Sequence, residues 1–191
     1  MTEKENMLGG LLYLSADPEL VKDRLRAKLI CHELNHLKPD CIDQRKKLLN
    51  DLFLVDTDVY IEPVFYCDYG YNIILGKNVY INHNCVILDV NTVTIGDNVM
   101  LAPNVQIYTA THPINPEERN SGREYGFPIK IGNNVWIGAN SMVLAGASIG
   151  DNSVVAAGSV VTGSIPANCL AAGSPAKVIR TLTIPEGWVR P

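Results

Sequence analysis

Four histidines and five cysteines hold most of the reactive chemistry in this chain of 191 residues. His112 has the surroundings that best suit catalysis. It stands between Thr111 and Pro113, at the root of a stretch from Pro113 to Pro128 rich in Pro, Gly, Asn and charge. An imidazole titrates near about 6.5, so its neutral ring can take a proton at neutral pH and serve as a general base. His32 and His36 lie one helical turn apart with no third ligand in view, and read as surface residues rather than a metal site. His83 sits inside Asn82-His83-Asn84, a polar corner. The cysteines are odd in number and lack metal-ligand spacing, which argues for reduced thiols in a cytoplasmic protein.

The elements that must position His112 announce themselves by period. Leu75, Ile81 and Ile87, then Ile95, Leu101 and Ile107, then Ile131, Ile137 and Val143, then Ile149, Val155 and Val161 return every sixth residue within each set. Between them recur the corners Gly-Lys-Asn, Gly-Asp-Asn and Gly-Asn-Asn. The fifth residue of each unit is small or β-branched: Val79, Cys85, Val99, Val105, Thr111, Val135, Ser141, Ala147, Ser153 and Ser159. Neither helix nor ordinary sheet has a period of six. Six-residue units are the mark of a parallel β-helix, each making one short strand and a turn, and three of them close a triangular coil. The expectation is mainly β, four stacked coils with aliphatic residues inward and backbone groups paired from coil to coil. The repeat breaks twice: a two-residue insertion expected around Val93-Thr94, and the extruded loop 113–128, whose far side resumes the phase at Ile131. Long loops in compact domains are usually functional or disordered.

Residues 1–54 have another texture, with nine of the sixteen basic residues. Asp17-Pro18-Glu19 predicts a helix start, with Leu25 and Leu29 on its apolar face and an end near Leu37. Pro39-Asp40 restarts the pattern, and Ile42, Leu49 and Phe53 predict a second helix. The organisation is therefore an N-terminal helical cap (1–54), covering the edge of the first coil, and a β-helix domain (55–191) that ends in a tail, 167–191. Between them, Tyr60 to Asn72 interleaves tyrosines with an acid and predicts an irregular entry. Sixteen basic against twenty acidic residues give no support for nucleic-acid or membrane-surface binding. The apolar runs are too short to span a bilayer, and the N-terminus does not read as a signal peptide.

The stretches Ile95–Asn104, Tyr108–Pro113, Ile131–Gly138 and Ala172–Arg180 resemble the hexapeptide-repeat sugar O-acetyltransferases, the maltose and galactoside family. Met7–Asp17 and Tyr66–Asn72 are similar to the maltose branch in particular. The resemblance implies a left-handed parallel β-helix, assembled as a homotrimer with sites between subunits, acetyl-CoA as co-substrate and no metal. It implies that His112 is the general base for a sugar hydroxyl, with the backbone N–H of Ala139 receiving the oxyanion. Asn82, Asp68 and Ser15 fall where the family holds the acceptor, with Tyr80 and Asp89 as neighbours. Ala139, Ala157, Thr162, Gly163, Lys177 and Arg180 fall at coenzyme positions, and Trp136 could line the same cleft. The residues agree with this on their own terms. Asn, Asp and Ser supply the directional hydrogen bonds that sugars need, and Lys177 and Arg180 are two of only seven basic residues after residue 54, suited to phosphate.

Two departures stand out. Family members often read Val-Thr-Lys-Asp-Ile-Pro where this chain has Val161-Thr-Gly-Ser-Ile-Pro166, which removes one possible coenzyme contact. Ser15 replaces an acid of the galactoside branch, leaving the acceptor open. Two other readings compete. A zinc hydratase on this fold would need three imidazoles around one metal, and the β-helix offers His83 and His112. A trimeric scaffold or binding protein would bind acetyl-CoA without transfer.

Overall fold

The computed structural model describes residues 1–183. Four elements precede the repeats: α1 (Glu3–Leu8), β1 (Tyr13–Leu14), α2 (Pro18–His36) and α3 (Ile42–Phe53). Five complete three-sided coils follow. They comprise β2 (Tyr60–Ile61), β3 (Phe65–Cys67) and β4 (Ile73–Leu75); β5 (Tyr80–Ile81), β6 (Cys85–Leu88) and β7 (Val93–Ile95); then β8 (Met100–Leu101) and β9 (Gln106–Tyr108). The third coil is interrupted by β10 (Ala110–Thr111), α4 (Pro116–Asn120) and β11 (Arg123–Gly126) before β12 (Ile129–Ile131) closes it. The fourth holds β13 (Trp136–Ile137), β14 (Met142–Leu144) and β15 (Ser148–Ile149), and the fifth β16 (Val154–Val155), β17 (Val160–Val161) and β18 (Ser164–Ile165). A sixth turn begins with β19 (Cys169–Gly173), and β20 (Ala176–Thr181) folds back antiparallel on it, closing that end.

The strands stack in three parallel faces: β2-β5-β8-β13-β16-β19, β3-β6-β9-β14-β17 and β4-β7-β12-β15-β18. All twelve aliphatic residues of the period point inward, and all but the half-buried Leu75 are fully buried. The repeated corners explain the stacking. At Gly96 an added Cβ would lie 2.6 Å from Asn133 Oδ1 and 2.8 Å from the Gly132 carbonyl carbon, so only glycine lets the coils approach. The next residue reaches back a coil, as Asp97 Oδ1 accepts from Lys77 N at 2.7 Å and Asn133 Oδ1 from Asp97 N at 2.8 Å. The third is an asparagine in the left-handed region, which its short polar side chain tolerates. Asn78, Asn98, Asn134, Asn152 and Asn168 thereby form a ladder of amides bonded at 2.9 to 3.1 Å down one edge.

The helices lie against the first coil. Asp17 accepts from Glu19 N and Pro18 opens α2. The Asn35 amide then pairs with the open edge of β3, giving to Phe65 O at 2.9 Å and accepting from Phe65 N at 2.8 Å. Several expectations need correction. Leu25 and Leu29 are 54% and 61% exposed. The face of α2 that packs is Leu20, Ala27, Cys31 and Leu34, because the edge of β3, not the spacing of leucines, decides which side is covered. Ile42 is also exposed, while Leu49 and Phe53 are buried. There are five coils rather than four, since Ile61, Cys67 and Ile73 build a full first coil where an irregular entry was expected. Val93-Thr94 lies inside β7, in register with Ile73-Ile74, so the two-residue insertion belongs to the bend before it, at Asp89–Asn91. Thr111 is not an inward fifth position either. The chain has already left the coil after the buried Thr109, and Thr111 pairs with Tyr125 in a hairpin.

Candidate active site

One edge of the prism, between the β3 face and the β4 face, breaks the repeat in three successive coils. Cys67 to Leu75 and Ile87 to Ile95 are separated by eight residues, and Ile107 to Ile131 by twenty-four. The surplus residues have no place in the wall, and they build a cavity of about 250 Å³ lined by Ser15, Arg24, Asp68, Leu88, Val90, Ala110, His112 and Glu124. The first break supplies Asp68, the second Val90, and the third Ala110, His112 and Glu124. Ser15 and Arg24 come from the N-terminal segment, because β1 pairs antiparallel with β11 (Tyr13 opposite Glu124) and β11 pairs with β10. Three of the expected site residues, Ser15, Asp68 and His112, thus meet in one hollow.

His112 is exposed at the exit of the hairpin, and its Nε2 lies 3.8 Å from Glu124 Oε2. The other Glu124 oxygen accepts from the Tyr13 hydroxyl, which fixes the carboxylate beside the ring. Burial and that bond push the Tyr13 phenol well above its ordinary range, so it remains a donor. Arg24 gives to the Tyr69 hydroxyl at 2.7 Å and to Ser15 O at 2.6 Å, tying α2 to the cavity floor. Burial pushes the Asp68 carboxyl up to about 6. Asp89 does not line the cavity. It is fully buried, and Oδ1 accepts from the N–H groups of Asp68 and Tyr69, both at 2.9 Å, so the expected direct contact with an acceptor is not available to it. Arg24 and Glu124 were not anticipated. The alternation Arg123-Glu124-Tyr125 in the returning arm of the loop is the signal that could have found the second, whereas nothing local marks Arg24.

The remaining expected residues lie elsewhere. Asn82 follows β5 at the edge between the β2 face and the β3 face. The same edge carries Ala102, Gly138 and Ala156, each hydrogen-bonded to the coil beyond. Here a second cavity of about 420 Å³, almost wholly apolar, is lined by Ala102, Trp136, Gly138, Ala139, Val154, Ala156, Ala157 and Leu170. The side chains are small where the groove runs, and the Ala139 N–H gives to no backbone carbonyl among the described residues. Tyr80 stacks on Tyr60 at 5.8 Å on the adjoining face. Thr162 and Gly163 are exposed after β17, on the edge that carries His112 but two coils on. Lys177 and Arg180 are exposed on β20. Two further hollows, about 500 and 370 Å³, lie beneath α3 around Lys46, Thr57 and Asp58, and hold none of the expected site residues. No group of three or more His, Cys, Asp or Glu among the described residues is placed to hold a metal.

The chain resembles known proteins along most of its length. Residues 6–53 match the maltose acetyltransferase hexapeptide capping motif, and residues 128–163 match the bacterial transferase hexapeptide (six repeats). The galactoside O-acetyltransferase of Escherichia coli is 45% identical over 183 residues, 95% of this chain and 90% of that protein. The chain belongs to the maltose and galactoside O-acetyltransferase family. Among solved structures, a maltose O-acetyltransferase from Clostridium difficile 630 superposes with a TM-score of 0.94 at 49% identity, covering 96% of this chain and 99% of that one. A galactoside acetyltransferase in complex with coenzyme A gives 0.89 at 42%, covering 96% and 92%. These family members share the parallel β-helix and its helical cap. Among the described residues no helix is long and apolar enough to cross a membrane.

Proposed function

We propose that the chain transfers the acetyl group of acetyl-CoA to a hydroxyl of a sugar, with His112 as general base and the active site completed by a second copy of the chain. The observation that carries this reading is the cavity uniting His112 with Ser15 and Asp68, groups that suit a polyhydroxy acceptor. His112 takes the proton from the acceptor hydroxyl while that oxygen bonds to the thioester carbonyl carbon. The tetrahedral intermediate rests its negative oxygen on the free N–H of Ala139. Collapse breaks the carbon–sulfur bond, and the imidazolium returns the proton to the departing thiolate. Glu124 stands beside the ring, its Oε2 3.8 Å from Nε2. Asp68 and Ser15 accept and give hydrogen bonds to the acceptor, joined by Asn82.

The coenzyme runs along the groove at Trp136, Ala139 and Ala157, with Lys177, Arg180, Thr162 and Gly163 toward its phosphates and pantetheine arm. His112 and Asn82 stand on different edges of one prism, so a single chain does not bring the base and the groove together. A three-fold assembly that sets one chain's groove against the next chain's His112 edge would do so. The outward stripe Tyr60, Tyr80, Met100 and Trp136 beside the groove is apolar enough to be covered. The test is thiol release from acetyl-CoA across a panel of mono- and disaccharides that includes maltose and simple galactosides. Release that depends on the sugar and vanishes in His112→Ala is the expected result. Sugar-independent behaviour, or an unaffected variant, would remove the reading.

A further inference from the structure

The placement of Asp89 is not explained by packing. It is 0% exposed, and its Oδ2 is the one buried side-chain oxygen or nitrogen without a hydrogen-bond partner among the described residues. Leaving a charged oxygen in that condition is costly, and a native fold that keeps it needs a reason. The other oxygen holds two successive N–H groups, of Asp68 and Tyr69, at 2.9 Å each. Asn72 Nδ2 gives to Asp89 O at 2.7 Å, so the same residue also closes the turn from its far side. The turn so held is the first of the three breaks that make the acceptor cavity. Asp68 sits on its rim, with its carboxylate making no hydrogen bond among the described residues.

Asp89, wholly inside, is therefore tied to the residue at the cavity, its Oδ1 accepting at 2.9 Å from the main-chain N–H of Asp68. Around the two carboxyl groups, the charges of Arg24 and Lys28 oppose the effect of burial on Asp68 without cancelling it. From α2 come Arg24, Arg26, Lys28 and Cys31; from β3 and its turn Cys67, Tyr69 and Tyr71; and from β11 Glu124. Both arginines are engaged with oxygens of Ser15, Asp51, Leu52 and Tyr69, and neither carboxylate has a basic nitrogen within 4 Å among the described residues. Like charges that act on one another do not both ionise easily, and the charge of Asp68 works against ionisation of Asp89.

We propose that Asp89 is a positioning residue of the acceptor site: it clamps the Asp68–Tyr69 segment and keeps the proton of the pair, which leaves Asp68 as the anion that meets a hydroxyl donor of the acceptor. The neutral carboxyl still accepts both N–H groups through Oδ1, so the clamp survives protonation, and no bare charge is left inside. Burial, aided by the charge of Asp68, pushes Asp89 up to about 7, and burial pushes Asp68 up to about 6. The inference rests on the sugar-transfer reading only for the identity of what Asp68 meets.

The test is a carbon-13 carboxyl titration of aspartate-labelled protein, with the two resonances assigned from Asp68→Asn and Asp89→Asn. Asp68 should ionise first. Removing it should lower the Asp89 transition, while Asp89→Asn should leave the Asp68 transition in place, because Asp89 is still neutral when Asp68 loses its proton. Asp89 ionising first, or Asp68 shifting downward in Asp89→Asn, would overturn the proposal. Kinetics with maltose supply the second arm. Asp89→Asn, an isostere of the neutral carboxyl, should keep the acceptor KM within about threefold, while Asp89→Ala raises it at least about tenfold with kcat retained. Equal KM in the two variants would also overturn it. Should Asp89→Ala fail to fold, the order of ionisation decides alone. The titration needs neither acceptor nor acetyl-CoA, so it distinguishes a wrong order of ionisation from a mere failure to acetylate sugars.

Discussion

At the scale of residues, geometry ranks the groups around His112. Removing the imidazole in His112→Ala should lower kcat at least about a hundredfold, the usual scale of a general base. Glu124→Gln keeps an acceptor for the Tyr13 hydroxyl but takes away the charge 3.8 Å from the ring. Because His112 is more than half exposed, that charge is screened, and the loss in kcat should stay below about tenfold. A loss as large as that of His112→Ala would give Glu124 a direct part in proton transfer. Asp89 makes a prediction about stability as well. Its folded value, about 7, lies above the ordinary carboxyl range, so the folded chain holds this proton more tightly than the unfolded chain. Between about pH 4 and 7 stability therefore falls as pH rises, and most of the loss is complete above 7. Thermal melts should show the wild type losing ground to Asp89→Asn from pH 5 to pH 8; parallel melting curves would contradict the buried charge. His112 was legible as chemistry from type and neighbours alone, whereas Asp68 was singled out through the resemblance of Tyr66–Asn72 to the maltose branch. Asp89 was legible as an acid but not as an internal one, because the spacing of the aliphatic residues shows that two extra residues are present without showing that the bend at Asp89–Asn91 holds them. Arg24 was not legible because its partners, Tyr69 and Ser15, are set by tertiary packing.

At the scale of elements, the repeat explains both what could be read and what could not. Aliphatic residues at a period of six dictated the inward face wherever the residue types were plain. The first coil obeys the same spacing through Ile61 and Cys67, but Phe65, Tyr66 and Cys67 are not the aliphatics that make a hexad visible. The exposed Leu25 and Leu29 failed for a different reason: helix α2 has leucines on two sides, and only the edge of β3 decides which is covered. Corners test the stacking argument directly. Gly96→Ala would drive a methyl group into Asn133 and the Gly132 backbone and should cost more than about 2 kcal/mol in denaturant melts. At Gly163, which stands after β17 with no heavy atom within 4 Å of an added Cβ and no left-handed backbone, Gly163→Ala should stay within about 0.5 kcal/mol. Equal costs at the two sites would mean that coil spacing does not determine the glycines. The open surroundings of Gly163 also leave room for a longer side chain, so Gly163→Lys should lower the KM for acetyl-CoA, by up to about tenfold, if a coenzyme phosphate lies near that edge.

At the scale of the whole molecule, the division of the site between two edges becomes a prediction about assembly. The edge bearing His112, Asp68 and Ser15 and the edge bearing Asn82, Ala139 and Ala157 are separated by the full β3 face, and no motion of a stacked solenoid folds one onto the other. Closed rings repeat the same contact between every neighbouring pair, so each of three sites would take its base from one copy and its groove from the next. Sedimentation should give three times the chain mass of 20.9 kDa. The sharper experiment is complementation. His112→Ala chains have an intact groove edge and Asn82→Ala chains an intact base edge, and each should be nearly inactive alone. Unfolded together in equal amounts and refolded, they form mixed rings in which a site is whole when the base comes from an Asn82→Ala chain and the groove from a His112→Ala chain. Random mixing makes that about one site in four, so roughly a quarter of wild-type activity should return, with none returning when the two proteins are mixed after folding. If base and groove instead met within one chain, every site in the mixture would carry a defect and no recovery would occur at any mixing ratio.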